Sequence, residues 1–468
     1  MPAVPGDTSV VETELYEVRK KIHPRWVTGV FANYRVLFVV LTQLVFYGLP
    51  WLTWNERQAV LFDLGARKFY IFGIVFWPQD FILLVALLVI SALALFLFTA
   101  VAGRLWCGYA CPQTVYTEIF LWAEHLIEGD RPKRLKLDAE PWGLHKLAVR
   151  GAKHAVWIAI ALWTGYTFVG YFTPIKILAE EIATFSTGPW ETFWVLFYGF
   201  ATYGNAGWLR EQVCKYMCPY ARFQGAMFDP DTLIVTYDDK RGEPRGSRSR
   251  SVNYQAAGLG DCVACGICVQ VCPTGIDIRN GLQYECIGCG LCVDGCNQVM
   301  DKMGYPRGLI RYSTENAMEG KYSEREILSR VFRPRVLAYT ATLSAILVAT
   351  TMVLYQRIPL KVNVVRDRTS LVRVTDEGYI ENVYRLQIIN TEERARRYTL
   401  AASGLDGLRL LSEPQPLEIG SISSRSVPVR LLVEPGAVTS GSHPIAFRVS
   451  AVDDPRVKID EKSSFLAK

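Results

Sequence analysis

The stretch Asp261-Cys-Val-Ala-Cys-Gly-Ile-Cys-Val-Gln-Val-Cys-Pro273 and its echo Glu285-Cys-Ile-Gly-Cys-Gly-Leu-Cys-Val-Asp-Gly-Cys-Asn297 decide how this chain is read. In each, three cysteines stand two residues apart and a fourth follows after three more. Three such thiolates wrap one face of a 4Fe-4S cube, and the fourth crosses to the neighbouring cluster. The spacing therefore assigns Cys262, Cys265, Cys268 and Cys296 to one cluster, and Cys286, Cys289, Cys292 and Cys272 to the other. Gly266, Gly288 and Gly290 let backbone amides approach the sulfurs. Two alternatives compete with an electron wire. Cys-x2-Cys pairs also hold zinc, and a cluster can be a static staple. Eight cysteines in duplicated order speak against zinc, and two adjacent clusters favour a wire.

The rest of the chain sets the surroundings. Its 468 residues are 50% apolar and 21% charged, with 51 Lys and Arg against 45 Asp and Glu. The excess of +6 is too small to suggest a nucleic-acid binder. All twelve cysteines fall in tight groups of two, two, four and four. A disulfide-stapled secreted protein spreads them instead.

Long apolar runs read as bilayer spans: residues 36–54, 81–101, 155–172, 193–209 and 336–355. The run from Phe69 to Trp77 is too short to cross and reads as interfacial. Basic residues orient the spans. Arg19, Lys20, Lys21, Arg25 and Arg35 precede the first or sit in its opening turn, eight Lys or Arg lie between Arg104 and Lys153, and seventeen between Arg210 and Arg335. The positive-inside rule makes these parts cytoplasmic and the tail periplasmic. Every cysteine then lies on the reducing side. No cleaved signal peptide is expected from residues 1–33. The organisation expected is thus a polytopic α-helical membrane protein of about five spans. A cytoplasmic arm (1–33) leads into a four-span region (34–209). A cytoplasmic region (210–335) contains the ferredoxin-like domain at about 255–305, and a fifth span (336–355) leads to a periplasmic domain (356–468).

The four-span region repeats. Cys107-Gly-Tyr-Ala-Cys111-Pro112 follows one pair of spans and Cys214-Lys-Tyr-Met-Cys218-Pro219 the next, each behind an arginine, Arg104 or Arg210. A proline disfavours helix at the residue before it, so each pair should sit where a span ends. Four converging soft sulfurs select Cu(I), zinc or iron–sulfur, and Met217 or Met227 could add a thioether. The bland alternative is small apolar cysteines in a packed interior. Soft ligation also favours Cu(I) over Cu(II), which eases Cu(II) reduction.

The tail alternates apolar with polar residues, as in Tyr384-Arg-Leu-Gln-Ile-Ile389, between Gly and Pro turns. That pattern predicts a C-terminal Ig-like β-sandwich without a disulfide, a packing or docking module. The linker Asp239-Lys-Arg-Gly-Glu-Pro-Arg-Gly-Ser-Arg-Ser-Arg250 reads as a solvated basic spacer, with docking of an acidic redox partner as the sharper alternative. The five histidines, His23, His125, His145, His154 and His443, lie outside the spans, which argues against b or c haem. His125, near Glu118, Glu124 and Glu128, is the one candidate metal ligand among them. No nucleotide-binding glycine motif precedes a helix, so electrons must come from a partner.

These motifs, with His23-Pro-Arg-Trp26 and Arg241-Gly-Glu-Pro-Arg-Gly246, resemble the CcoG family, also called FixG or RdxA, over essentially the whole chain. The resemblance implies an accessory protein of cbb-type cytochrome c oxidase in the bacterial inner membrane. It implies reduction of Cu(II) to Cu(I) through 4Fe-4S clusters, with copper as substrate or transient ligand at Cys107, Cys111, Cys214 and Cys218. Implied partners are a cytoplasmic electron donor, copper-transport or oxidase-assembly factors, membrane lipid and a second copy of the chain. The departure is Asn297 where the ferredoxin pattern often has proline. Two rivals stay open, a quinol-reactive ferredoxin-type subunit and a non-catalytic assembly scaffold.

Overall fold

The computed structural model describes residues 21–251, 253–254, 256–367 and 372–467. Most of the N-terminal arm, with Arg19 and Lys20, lies outside the described residues. The chain forms two compact units, Met1–Gln43, Leu95–Gly165 and Leu196–Leu337 in the first, and Leu44–Ala94, Tyr166–Val195 and Ala338–Lys468 in the second.

Three helices are long and apolar enough to cross a bilayer: Val30–Trp51, Pro78–Ala102 and Pro334–Tyr355. Hardly any of their side chains are buried by protein, and Leu87, Leu88 and Val348 are all more than half exposed. Apolar surface of that kind is stable only against lipid. The two remaining expected spans differ. The third begins well before Ala155, as a helix Leu144–Val169 whose first turns carry Lys146, Arg150 and Lys153. The fourth is an α-helix Pro189–Thr202 that passes into a π-helical turn Tyr203–Leu209 and breaks at Arg210, which has φ 45°. The first of these is long enough but carries three cations, and the second has only 14 α-helical residues, so three helices qualify as candidate spans among the described residues where the sequence suggests five. The apolar run Phe69–Trp77 is not an isolated interfacial segment. It supplies two strands, Lys68–Ile71 and Ile74–Phe76, of an antiparallel sheet with Val60–Asp63.

In the first unit the cysteine-rich segment folds as a small lobe. Strands Ile234–Tyr237 and Ile310–Ser313 pair antiparallel although 72 residues separate them. Helices Ile267–Gln270 and Leu291–Met303 pack beside them. Val235, Ile278, Val293, Met300, Leu309 and Ile310 fill the interior.

In the second unit the tail is a sandwich of two antiparallel sheets. One runs in the order Arg409–Leu411, Ser423–Val433, Ile380–Asn390, Leu360–Arg366. The other runs Leu417–Ile419, Arg396–Ser403, Gly441–Ala451, Lys458–Ala467. Burial alternates along Tyr384–Ile388 as the sequence pattern requires, with Tyr384, Leu386 and Ile388 inward and Arg385 and Gln387 outward. Val427, Val429, Phe447 and Phe465 close the core without any exposure.

Candidate functional site

Two thiol-lined cavities lie in the ferredoxin lobe. Cys262, Cys265, Cys268 and Cys296 line one of about 330 Å³. Cys272, Cys286, Cys289 and Cys292 line the other, of about 350 Å³, and Cys268 borders both. This grouping is the one the crossed spacing predicts, in which each run lends its fourth cysteine to the other site. Gly266, Gly288 and Gly290 have φ of 68°, 64° and 74°, a region side chains avoid. Among the described residues no three His, Cys, Asp or Glu side chains gather at single-ion distance. Burial pushes the Cys286 and Cys296 thiols up to about 12. A bound metal centre would supply the positive charge that makes thiolates stable there. The residues fit a pair of 4Fe-4S clusters.

The Cys-x3-Cys-Pro turns are built alike. Cys107 sits in the short helix Leu105–Tyr109, and Cys111 is extended (φ −63°, ψ 128°) ahead of the helix Pro112–Glu128. Cys214 sits in the π-helical turn Val213–Met217, and Cys218 is extended (φ −78°, ψ 110°) ahead of Pro219–Met227. The extended cysteines follow from the proline after each. The turns are clamped together. The Gln113 amide donates to the carbonyls of Asn205 and Arg210 at 2.9 and 3.0 Å, and Arg104 donates to the Ala221 carbonyl at 2.6 Å. Cys107 Sγ lies 3.5 Å from Gln224 Oε1, on a side chain with no exposure. Burial, then the charge of the neighbouring cysteines, pushes Cys107 up to about 11 and Cys214 up to about 12. The four thiols thus share one neighbourhood without closing around a single ion. Met217 is 60% exposed and Met227 half-buried.

The first turn rests on the ferredoxin lobe. A Cβ at Gly108 would come within 2.9 Å of the Ile287 carbonyl oxygen and 3.0 Å of Cys289 Cα. Tyr109 donates its hydroxyl proton to the Cys289 carbonyl at 2.9 Å, and Tyr312 donates to that of Gly288 at 2.6 Å. Arg104 donates to the carbonyls of Tyr284 and Cys286. So Cys107 neighbours the loop carrying Cys286 and Cys289. Arg104, Gly108 and Tyr109 were missed as site residues, yet a signal was present. The first copy has Gly-Tyr between its cysteines where the second has Lys215-Tyr216, and only glycine allows backbone to meet backbone this closely.

Behind the turns lies a buried ion network. Glu124 has no exposure and pairs with Arg134 and Arg210 at 3.2 and 3.1 Å and with Lys153 at 3.5 Å. Burial alone would raise its pKa, but Arg210, Lys153 and Arg134 outweigh it and hold the carboxyl down to about 2. Glu128 takes Arg150 and Lys153. His125 stacks on Trp26 at 4.7 Å. With Glu124 and Glu128 committed to cations, the residues around His125 do not assemble as a metal site among the described residues.

The linker Asp239–Arg250 is not a solvated spacer. Cys262 donates its amide to the Gly242 carbonyl at 3.3 Å, Gly246 donates to that of Cys262 at 3.2 Å, and Arg248 reaches the same oxygen at 3.2 Å. It wraps the first cysteine of the lobe.

Comparison with known proteins agrees with this layout. Residues 209–315 match the family model of a 4Fe-4S dicluster domain, 84–134 that of a 4Fe-4S binding domain, and 350–468 that of the Ig-like fold at the C-terminus of FixG. The nitrogen fixation protein FixG of Rhizobium meliloti is 40% identical over 84% of this chain and 81% of its own length. Protein RdxA of Cereibacter sphaeroides is 38% identical over 96% of this chain and 95% of its own. A crystal structure of a FixG-related protein from Vibrio parahaemolyticus covers 24% of this chain and 97% of its own, at 25% identity and TM-score 0.22.

Proposed function

Because the chain belongs to the FixG and RdxA family, we propose that it is a membrane-bound iron–sulfur protein that reduces Cu(II) to Cu(I) for assembly of cbb-type cytochrome c oxidase. When bound, 4Fe-4S clusters supply one-electron storage and release. The chain's own part is to hold eight thiolates in two cavities and to press the Cys107 turn against one of them. The observation that carries the reading is that junction, where Gly108 and Tyr109 meet the Ile287–Cys289 loop. The copper step balances simply, since Cu(II) gains one electron, a cytoplasmic donor loses one, and no bond to carbon changes. Buried, closely grouped thiols favour the softer Cu(I) product. The reading keeps the five-span, inner-membrane arrangement with a cytoplasmic cysteine-rich lobe and periplasmic tail.

The test is anaerobic purification, iron and sulfide analysis, and Cu(II) reduction followed with a Cu(I)-specific chelator. Two clusters require about eight iron atoms per chain. About twelve would mean that Cys107, Cys111, Cys214 and Cys218 hold a third cluster; the first two of these lie within the 84–134 match to a 4Fe-4S binding domain. Changing Cys107 and Cys111 to serine should abolish Cu(II) reduction and leave the iron content intact. Undiminished reduction would remove copper from the site.

A further inference from the structure

The two cavities differ in what surrounds them. One adjoins the Cys107 turn. The other contains Cys265, the single cysteine of the twelve that is exposed. We propose that the surface around Cys265 is the docking site for an acidic one-electron carrier protein. The inference rests on the electron-transfer reading above and does not depend on copper.

Charge carries the argument. Arg279 lines the cavity with Cys265, and Arg248 lies against Cys262 through its carbonyl. Arg245 precedes Gly246, whose amide bonds that same carbonyl, and lies near enough to Asp277 to act on it electrostatically. The nearby carboxylates are already matched: Asp277 with Arg279 at 2.6 Å, Asp261 with Arg241 at 2.5 Å, Glu243 with Arg245 at 3.6 Å and Asp301 with Arg307 at 2.7 Å. Arg248, Arg250 and Lys302 have no carboxylate partner among the described residues, and Arg250 and Lys302 are exposed. The bonds that wrap the linker hold Arg248 at Cys262, Arg250 reaches to 3.7 Å from where a Cβ at Gly304 would stand, and Lys302 lies two residues beyond Met300 of the Cys265 cavity. Redox encounters use small interfaces, and a fixed field raises their association rate more than it adds lasting contacts. On docking, the carrier loses one electron and this chain gains one, with no proton or bond transferred.

The experiment uses the full chain in nanodiscs with a flavodoxin as the acidic probe. Binding is followed by biolayer interferometry at rising salt, and contacts are mapped by carbodiimide cross-linking. The affinity should fall about tenfold or more between low and physiological salt. Arg245→Glu with Arg250→Glu should weaken it by about tenfold again, and cross-links should join Lys302 to probe carboxylates. Unchanged iron content of the variant shows that it folds. Arg448→Glu in the tail, a single charge reversal on an exposed arginine elsewhere, should leave binding unaltered. Salt-independent binding, indifference to the reversals at 245 and 250, or cross-links confined to other lysines would each overturn the proposal. A Cys107→Ser chain that docks normally and still reduces Cu(II) at the native rate would sink the copper reading alone.

Discussion

Replacing Gly108 by alanine places one methyl group at the junction between the cysteine turn and the ferredoxin lobe. The new Cβ would stand 2.9 Å from the Ile287 oxygen and 3.0 Å from the Gly288 oxygen and Cys289 Cα, where ordinary contact begins at 3.4 Å. About 0.5 Å must therefore open between the two segments. Every clashing atom belongs to backbone, so no rotamer change can relieve the contact. Overpacking of this kind costs about 1–3 kcal/mol. Alanine also favours the helical backbone at this position by about 0.5–1 kcal/mol over glycine, so the centres of the two ranges leave a net loss of about 1–1.5 kcal/mol. That corresponds to a melting-point drop of roughly 2–6 °C for a unit of this size. Gly225, in the helix after the second turn, is the control, because a Cβ there meets nothing within 4 Å. Gly225→Ala should be neutral or slightly stabilising. The assay is thermal unfolding of the purified full chain by tryptophan fluorescence, beside Cu(II) reduction. Gly108→Ala should lose in both measurements. If it matched Gly225→Ala in both, the close backbone contact between turn and lobe would not exist.

Glu124→Gln leaves Arg134 and Arg210 without their buried counter-charge and should destabilise the chain by about 3–5 kcal/mol in denaturant titration. In the native chain its carboxyl is held below the unfolded carboxylate range, so its contribution is complete above about pH 4.5 and is lost as pH falls towards 2; acid unfolding of Glu124→Gln should lack that component. Raised thiol pKa values at Cys107 and Cys214 imply that alkylation of the metal-free chain by iodoacetamide stays slow at pH 8 and climbs only near pH 11, which peptide mass mapping would show. Cys289→Ser should lower iron and sulfide by about half while the other cavity keeps its ligands. Phe447→Ala, deep in the tail sandwich, should cost about 3–5 kcal/mol in a calorimetric scan of the full chain and leave the iron content unaltered.

Cysteine spacing predicts the two ligand sets, because a cluster imposes short, fixed separations between its thiolates. Alternation along Tyr384–Ile388 specified an inward face because successive strand residues point to opposite sides. Pro112 and Pro219 specified extended cysteines because a proline ring clashes with a helical residue before it. Each of these rules acts over a few neighbouring residues. Other features depended on partners far along the chain. The segment Phe69–Trp77 became two strands because Val60–Asp63 was available to pair with it. The basic stretch Asp239–Arg250 became a wrap because the carbonyls and amides around Cys262 satisfied its backbone. Lys146, Arg150 and Lys153 belong to one helix, which carries Arg150 and Lys153 against the carboxylates of Glu124 and Glu128.

By itself, then, the order of residues determined which thiols belong together and which strands face inward, since those follow from local geometry. Only the tertiary structure decided that the loop of Cys286 and Cys289 meets the Cys107 turn while Cys265 stays accessible. That choice rests on whether one backbone can lie against another, and Gly108 permits it through contacts with residues some 180 positions away.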